Sequence, residues 1–319
     1  MGTFLEALRS QAGAGRTLRF DRFVELALYH PELGYYRRPR QRVGTGPDTD
    51  FYTASTSGPV FGEMILAAIA HLLNGEDFSR YTFVEIGAET PGGILAGLAH
   101  PFGAARTVRV GELFAVEGRC VVFSNELFDA QPFRRFRVRG GAWRELGVRA
   151  GPDALDEVEL TTALPDFLPP GAPEGYQLDA PTEAAALATS IARRNWQGLF
   201  LACDYGKSWD ELAHFTPVGT ARAYRRHRQS NDLLAYPGEQ DLTCHLCWDW
   251  LIQALVAEGF AQPVLESQEA FFVLHAGKYI EEVTGQEAAR FSEKKLSLLQ
   301  LLHPSHLGRK FQVLHAIRS

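Results

Sequence analysis

Ser124-Asn125-Glu126-Leu127-Phe128-Asp129-Ala130-Gln131 follows directly on the apolar run Cys120-Val121-Val122-Phe123. Two carboxylates and an amide at the carboxyl end of a buried strand can hold a cation in one geometry and accept a proton from it. In open α/β sheets ligands sit in the crevice beyond those strand ends, so the position favours chemistry over packing. Taken alone, however, the segment reads first as a helix N-terminus, with Asn125 as the cap and the acids facing the dipole. A second candidate is Glu85-Ile86-Gly87-Ala88-Glu89-Thr90-Pro91-Gly92-Gly93. This turn is not a G-x-G-x-x-G dinucleotide fingerprint, and without a Walker lysine it is not a P-loop. An acid just before a glycine turn suits a cofactor carrying a cationic group.

These groups need a frame. Residues 82–86, 107–110, 120–123, 198–203, 264–269 and 311–317 read as strands, most of them short apolar runs. Helical spacing recurs over 3–9, 20–29, 59–73, 182–194, 245–258, 270–283 and 286–302. Period-two alternation on both sides of Gly140-Gly141 marks a β-hairpin. Strands alternating with helices predict an α/β fold with a Rossmann-like sheet. The expected organisation is a helical and loop region over 1–80, then a core over 81–319 with an insertion at about 133–181 and a substrate loop at about 207–245.

Composition bounds the function. The chain has 319 residues, 45% hydrophobic and 22% charged, which suits an ordinary globular protein with one large core or two moderate ones. A formal charge of −6 argues against nucleic-acid binding. No run of about 18 apolar residues supports a membrane span, and the first residues lack a basic segment followed by an apolar one, so a cytoplasmic location is expected. Cys244-His245-Leu246-Cys247 has metal-like spacing, but a structural zinc site needs four ligands and no matching pair follows. These cysteines are expected to be packed small side chains on a helix, and no metal site is predicted.

Several separated segments have a common resemblance. Tyr29-His30-Pro31-Glu32-Leu33-Gly34-Tyr35-Tyr36 is followed by Asp50-Phe51 with Thr53, then Phe61-Gly62-Glu63 and Asn125-Glu126-Leu127-Phe128-Asp129-Ala130. Further on come Asp204-Tyr205-Gly206, Gly219-Thr220-Ala221-Arg222-Ala223-Tyr224, Pro237-Gly238-Glu239-Gln240-Asp241-Leu242-Thr243-Cys244-His245 and Phe311-Gln312-Val313-Leu314. In this order they resemble the MidA-type methyltransferases, a family that includes a mitochondrial complex I assembly factor that methylates a protein arginine. The resemblance implies a class I methyltransferase fold, S-adenosylmethionine as cofactor, and a protein as substrate or partner. It places Glu126 and Asp129 at the acceptor as catalytic groups. It gives the cofactor Glu85, Gly87, Gly92, Gly93, Asp50, Phe51, Thr53 and Asn125. It gives the substrate Asp204, Tyr205, Arg222, Glu239, Gln240, Asp241 and His245.

The chain also departs from the family pattern. Ala88 to Pro91 interrupts the glycine turn, and only Leu113 to Arg119 separates Val110-Gly111-Glu112 from Cys120. A parallel crossover ordinarily takes about a dozen residues or more, so these seven are expected to hold none. Either the two flanking strands pair like a hairpin, or the sheet lacks a strand-helix unit and they lie further apart. Both alternatives remodel the adenosine pocket. The reading therefore keeps a methyltransferase first and a non-catalytic protein-binding relative second.

Overall fold

The computed structural model describes residues 2–39, 42, 44, 49–50, 58–112, 115–286, 292–303 and 307–319. Its centre is a six-stranded sheet whose strands, in chain order, are β1 (Thr82–Ile86), β2 (Ala104–Val108), β3 (Gly118–Asn125), β4 (Trp196–Asp204), β5 (Ala261–Ser267) and β6 (Gln312–Arg318). Across the sheet the order is β5-β6-β4-β3-β1-β2. β1 pairs in parallel with both β2 and β3, β3 pairs in parallel with β4, and β6 runs antiparallel to β4 and β5.

β3 and β4 are apolar almost throughout because helices cover both faces of the sheet. Helices Pro59–Leu72, Gln268–His275 and Glu293–Leu302 bury one face, with Phe61, Phe83, Phe123 and Phe271 at its centre. Helices Thr182–Ala192 and Trp248–Ala257 cover the other, around Phe128, Phe200 and Trp196. Gly198 lets β3 and β4 approach at φ 120°, since any Cβ there would overlap the Cys120 carbonyl.

The shortened segment resolves to the second alternative. β2 and β3 flank β1 instead of pairing with each other. The chain passes from Val108 to Gly118 without regular structure among its described residues. This corrects the expectation that so short a segment holds no crossover. Ten extended residues reach about 33 Å. Descending a five-residue strand and crossing two inter-strand gaps takes only about 20 Å. A bare loop suffices when no helix or third strand has to be accommodated.

A second sheet forms from the hairpin Arg134–Arg139 and Ala142–Ala150, joined by strands Leu155–Leu160, Gln177–Ala180 and Thr17–Arg19. Gly140 and Gly141 turn the hairpin at φ 60° and 73°, as a two-residue turn requires. The amino-terminal strand thus adds to the insertion, and helix Phe20–Tyr29 packs on both through Phe20, Phe23 and Phe133. Helix Pro59–Leu72, expected with the amino-terminal region, belongs to the core of the central sheet. A small sheet of Arg222–Arg225, Arg228–Ser230 and Asp241–Thr243 lies over the ends of the central strands. Among the described residues no helix is long and apolar enough to cross a membrane.

Candidate active site

The glycine turn after β1 closes on the acid that precedes it. Glu85 is 6% exposed, and its Oε2 accepts the Ile94 N–H at 2.8 Å. Gly87 and Gly93 take φ of 85° and 58°, and a Cβ on Gly93 would collide with the Glu85 carboxylate. The turn therefore needs glycine for both conformation and space. Burial pushes the Glu85 carboxyl up to about 7, partly offset by the Ile94 N–H, so a cationic neighbour would favour its ionised form.

The segment after β3 is not a helix start. Glu126 donates its N–H to the Cys203 carbonyl at 2.9 Å and holds φ 49°, a conformation uncommon outside glycine. Asn125 caps nothing; its Nδ2 donates to Glu126 Oε1 at 3.1 Å. The turn is fixed from β4 by Asp204, whose Oδ2 accepts the N–H groups of Phe128 (2.9 Å) and Asp129 (3.3 Å) while Oδ1 accepts that of Tyr205 (2.9 Å). From the other side, the Asp129 carbonyl accepts the Cys244 N–H and the Ala130 carbonyl accepts the Tyr29 hydroxyl, each at 2.9 Å. The backbone carrying Asp129 is thus held by three separate elements.

Asp129 is 4% exposed, and its Oδ1 has no hydrogen-bond partner among the described residues. Burial pushes its carboxyl up to about 6, and the Tyr205 hydroxyl draws it back. Burial and then the charge of Asp129 drive Asp204 up as well. Asp241, buried and accepting the Tyr36 hydroxyl at 2.9 Å, rises to about 8 through burial and then Asp129. Nearby, His245 falls to about 4 through burial, so it is neutral at pH 7, and its Nδ1 has no hydrogen-bond partner among the described residues. The result is a group of buried acids, Asp129, Asp204 and Asp241, whose carboxyls burial drives upward.

One cavity of about 1150 Å³ joins the two halves. Glu85, Gly87 and Gly93 line one end, and Asn125, Glu126, Asp129, Tyr205, Arg222, Asp241 and His245 line the rest. Pockets for small ligands commonly measure about 300–1000 Å³, so a nucleoside and part of an acceptor fit together. Other residues assigned from the sequence stand outside its lining. Asp50 accepts the Tyr35 hydroxyl at 2.6 Å and the Arg226 N–H at 2.7 Å, tying the amino-terminal region to a hairpin turn. Gly92 shapes the glycine turn at φ 86°. Asp204 is fully buried, stands outside the lining and holds the backbone groups described above. Glu239 pairs with Arg38 (3.6 Å) and Arg225 (3.3 Å), and Gln240 donates to the Asp232 and Leu233 carbonyls (3.2 and 2.9 Å). Phe51 and Thr53 lie outside the described residues.

Some cavity residues went unassigned in the sequence. Glu89 lines it, with its carboxyl raised by burial and lowered by Arg42, whose Nη1 is 3.7 Å away. Tyr36, Lys207, Tyr224 and Thr243 line it too. Glu112, the acid after β2, is exposed and accepts the Arg109 N–H at 2.8 Å, so it does not enter the cavity. Cys244 and Cys247 are buried as expected, but they precede the helix that starts at Trp248.

A parallel sheet continued by an antiparallel strand between β4 and β5, with its cavity at the strand ends, is a class I methyltransferase fold. Two solved structures share it over 99% of this chain and 92% of theirs. One is a COG1565 superfamily member from Burkholderia thailandensis bound to S-adenosyl-homocysteine (24% identical, TM-score 0.87), the other a native COG1565 superfamily protein from the same organism (21%, 0.80). The family model described as putative S-adenosyl-L-methionine-dependent methyltransferase matches residues 102–264, and the chain belongs to that family. It is also 24% identical over 206 residues to the mitochondrial protein arginine methyltransferase NDUFAF7 of Mus musculus. That match covers 61% of this chain and 45% of the mouse protein, so the chain spans less than half of that relative.

Proposed function

We propose that this methyltransferase acts on the guanidinium of an arginine carried by a partner protein. The observation that carries the proposal is the single cavity in which the glycine turn of β1 meets Glu126, Asp129 and Asp241. Asp129 and Asp241, whose carboxyls burial pushes up, favour a cationic guest, because pairing with it recovers energy lost on desolvation. A planar guanidinium donates paired N–H bonds to such a carboxylate.

The residues fit a sulfonium nucleoside at the other end. Glu85 and Gly93 would hold its cationic portion, and the glycine turn permits close main-chain approach. Glu89, which lines the cavity, would take the ribose hydroxyls. When bound, S-adenosylmethionine supplies an electrophilic methyl carbon. Glu126 and Asp129 orient the guanidinium so that one nitrogen faces that carbon. Transfer would break the methyl's carbon–sulfur bond as the C–N bond forms, leaving S-adenosyl-homocysteine, and Asp129 would receive the displaced N–H proton, since its carboxyl near 6 is ionised at neutral pH yet basic enough to take it.

The test is incubation of the purified chain with methyl-labelled S-adenosylmethionine and arginine-containing proteins, followed by hydrolysis and identification of the labelled residue. Label in methylarginine supports the reading. Label confined to another residue type replaces arginine as the acceptor. No transfer to any protein favours a relative that binds its partner without modifying it.

A further inference from the structure

On the face of the sheet covered by helices Pro59–Leu72 and Gln268–His275, away from the methyl-transfer cavity, a second group of side chains converges. Glu266 on β5 and His315 on β6 are diagonal neighbours, because Glu266 lies opposite Val313 and His315 opposite Val264. His275 closes helix Gln268–His275 above them. Both His275 Nε2 and His315 Nε2 lie 3.0 Å from the same atom, Glu266 Oε2. The three ligand atoms lie within 4.8 Å of one another, and the side chains are only 9%, 9% and 15% exposed for His275, His315 and Glu266.

We propose that Glu266, His275 and His315 form a binding site for a divalent transition-metal ion, with zinc as the best fit. A tetrahedral zinc with bonds of about 2.0–2.2 Å and water as its fourth ligand sets its donor atoms roughly 3.3–3.6 Å apart, so small side-chain rotations bring this triad into register. Two imidazoles with one carboxylate suit zinc and disfavour calcium or magnesium, which take oxygen ligands. Two ligands come from adjacent strands and one from a helix, so their spacing is fixed before the ion arrives.

Two further features support the site. His71 Nδ1 lies 2.9 Å from His275 Nδ1, the partner position that fixes the tautomer and orientation of a ligating imidazole. His71 and His275 also sit in the last turns of their helices, whose carbonyl ends attract a cation. The ion would join β5, β6 and helix Gln268–His275. Gln268, first in that helix, donates its N–H to the Phe311 carbonyl at 2.9 Å, and Phe311 lines the methyl-transfer cavity. The site would therefore stiffen one cavity wall without entering it.

The test is metal uptake by chelator-stripped wild-type chain dialysed against zinc chloride, with elemental analysis and a parallel cobalt(II) titration. One zinc per chain and a tetrahedral cobalt spectrum without thiolate charge-transfer bands are expected. The double variant H275A/H315A should lose uptake. His71→Ala, at an exposed position, should keep the fold and weaken binding about 10- to 100-fold. Substoichiometric wild-type uptake overturns the proposal. So do thiolate bands, which would place the ion at the cysteines, or unchanged affinity in both variants.

Discussion

Replacing Asp129 by Asn separates catalysis from stability. The amide keeps the size of the carboxyl and an oxygen acceptor for Tyr205, but removes a charge from a site 4% exposed. Asp129 titrates at about 6 in the fold against an ordinary 3.8, so the folded state holds its proton to higher pH than the unfolded chain. Its contribution is therefore most favourable below about pH 4, declines as pH rises toward about 6, and is level above that. At about 1.4 kcal/mol per pH unit, the decline is on the order of 3 kcal/mol. Asp129→Asn should then raise Tm by several degrees at pH 8 and leave it nearly unchanged at pH 4, read by thermal unfolding across pH. Turnover should move the other way. A hydrogen bond to a charged group contributes about 1.5–3 kcal/mol, so kcat/KM should fall roughly 10- to 100-fold. A variant that is both less stable at pH 8 and undiminished in kcat/KM would refute the reasoning.

Glu126→Gln should lower kcat at least about tenfold while S-adenosyl-homocysteine affinity, measured by calorimetry, stays within about threefold, since the role proposed for Glu126 is at the acceptor and not at the cofactor. Equal loss of both would place it at the cofactor. Gly93→Ala should weaken S-adenosyl-homocysteine binding more than about tenfold and cost about 1–3 kcal/mol in denaturant unfolding, through the positive φ and the Glu85 collision. Wild-type affinity would remove the turn from the cofactor site. Asp204→Ala leaves the N–H groups of Phe128, Asp129 and Tyr205 without their acceptor, at about 1–3 kcal/mol for each one that stays buried. Tm and kcat should fall together, with Asp204→Asn recovering part of both; a stable Asp204→Ala with selective loss of substrate affinity would return Asp204 to direct contact.

Strands with near-continuous apolar runs were legible because burial on both faces leaves a plain signal: β1, β3, β4 and β6 lie where their residues predicted. β2 was read too far along because Ala104 and Ala105 carry little apolar weight at an edge. Sequence spacing also misjudged the passage from Val108 to Gly118, since the usual crossover length assumes a helix to be accommodated. Within the site, residue type showed that Glu126, Asp129 and Asp241 were unusual but not whether each faced the cavity. Asp204 and Gln240, assigned to the substrate by the resemblance, stand outside the cavity lining and bond to backbone, which for Asp204 depends on partners far along the chain and for Gln240 on a nearby loop. Glu89 was invisible for the converse reason: it sits in the stretch that interrupts the glycine motif, and only the fold turns it inward. The Glu266, His275 and His315 group has no local spacing, because strand pairing and helix packing assemble it.

The altered glycine turn should still form a working cofactor site. Calorimetric titration of the purified chain with S-adenosyl-homocysteine reads this without a substrate. Saturable binding to one site per chain, weakened in Gly93→Ala, is expected. No binding at millimolar ligand by a folded wild-type chain would contradict it.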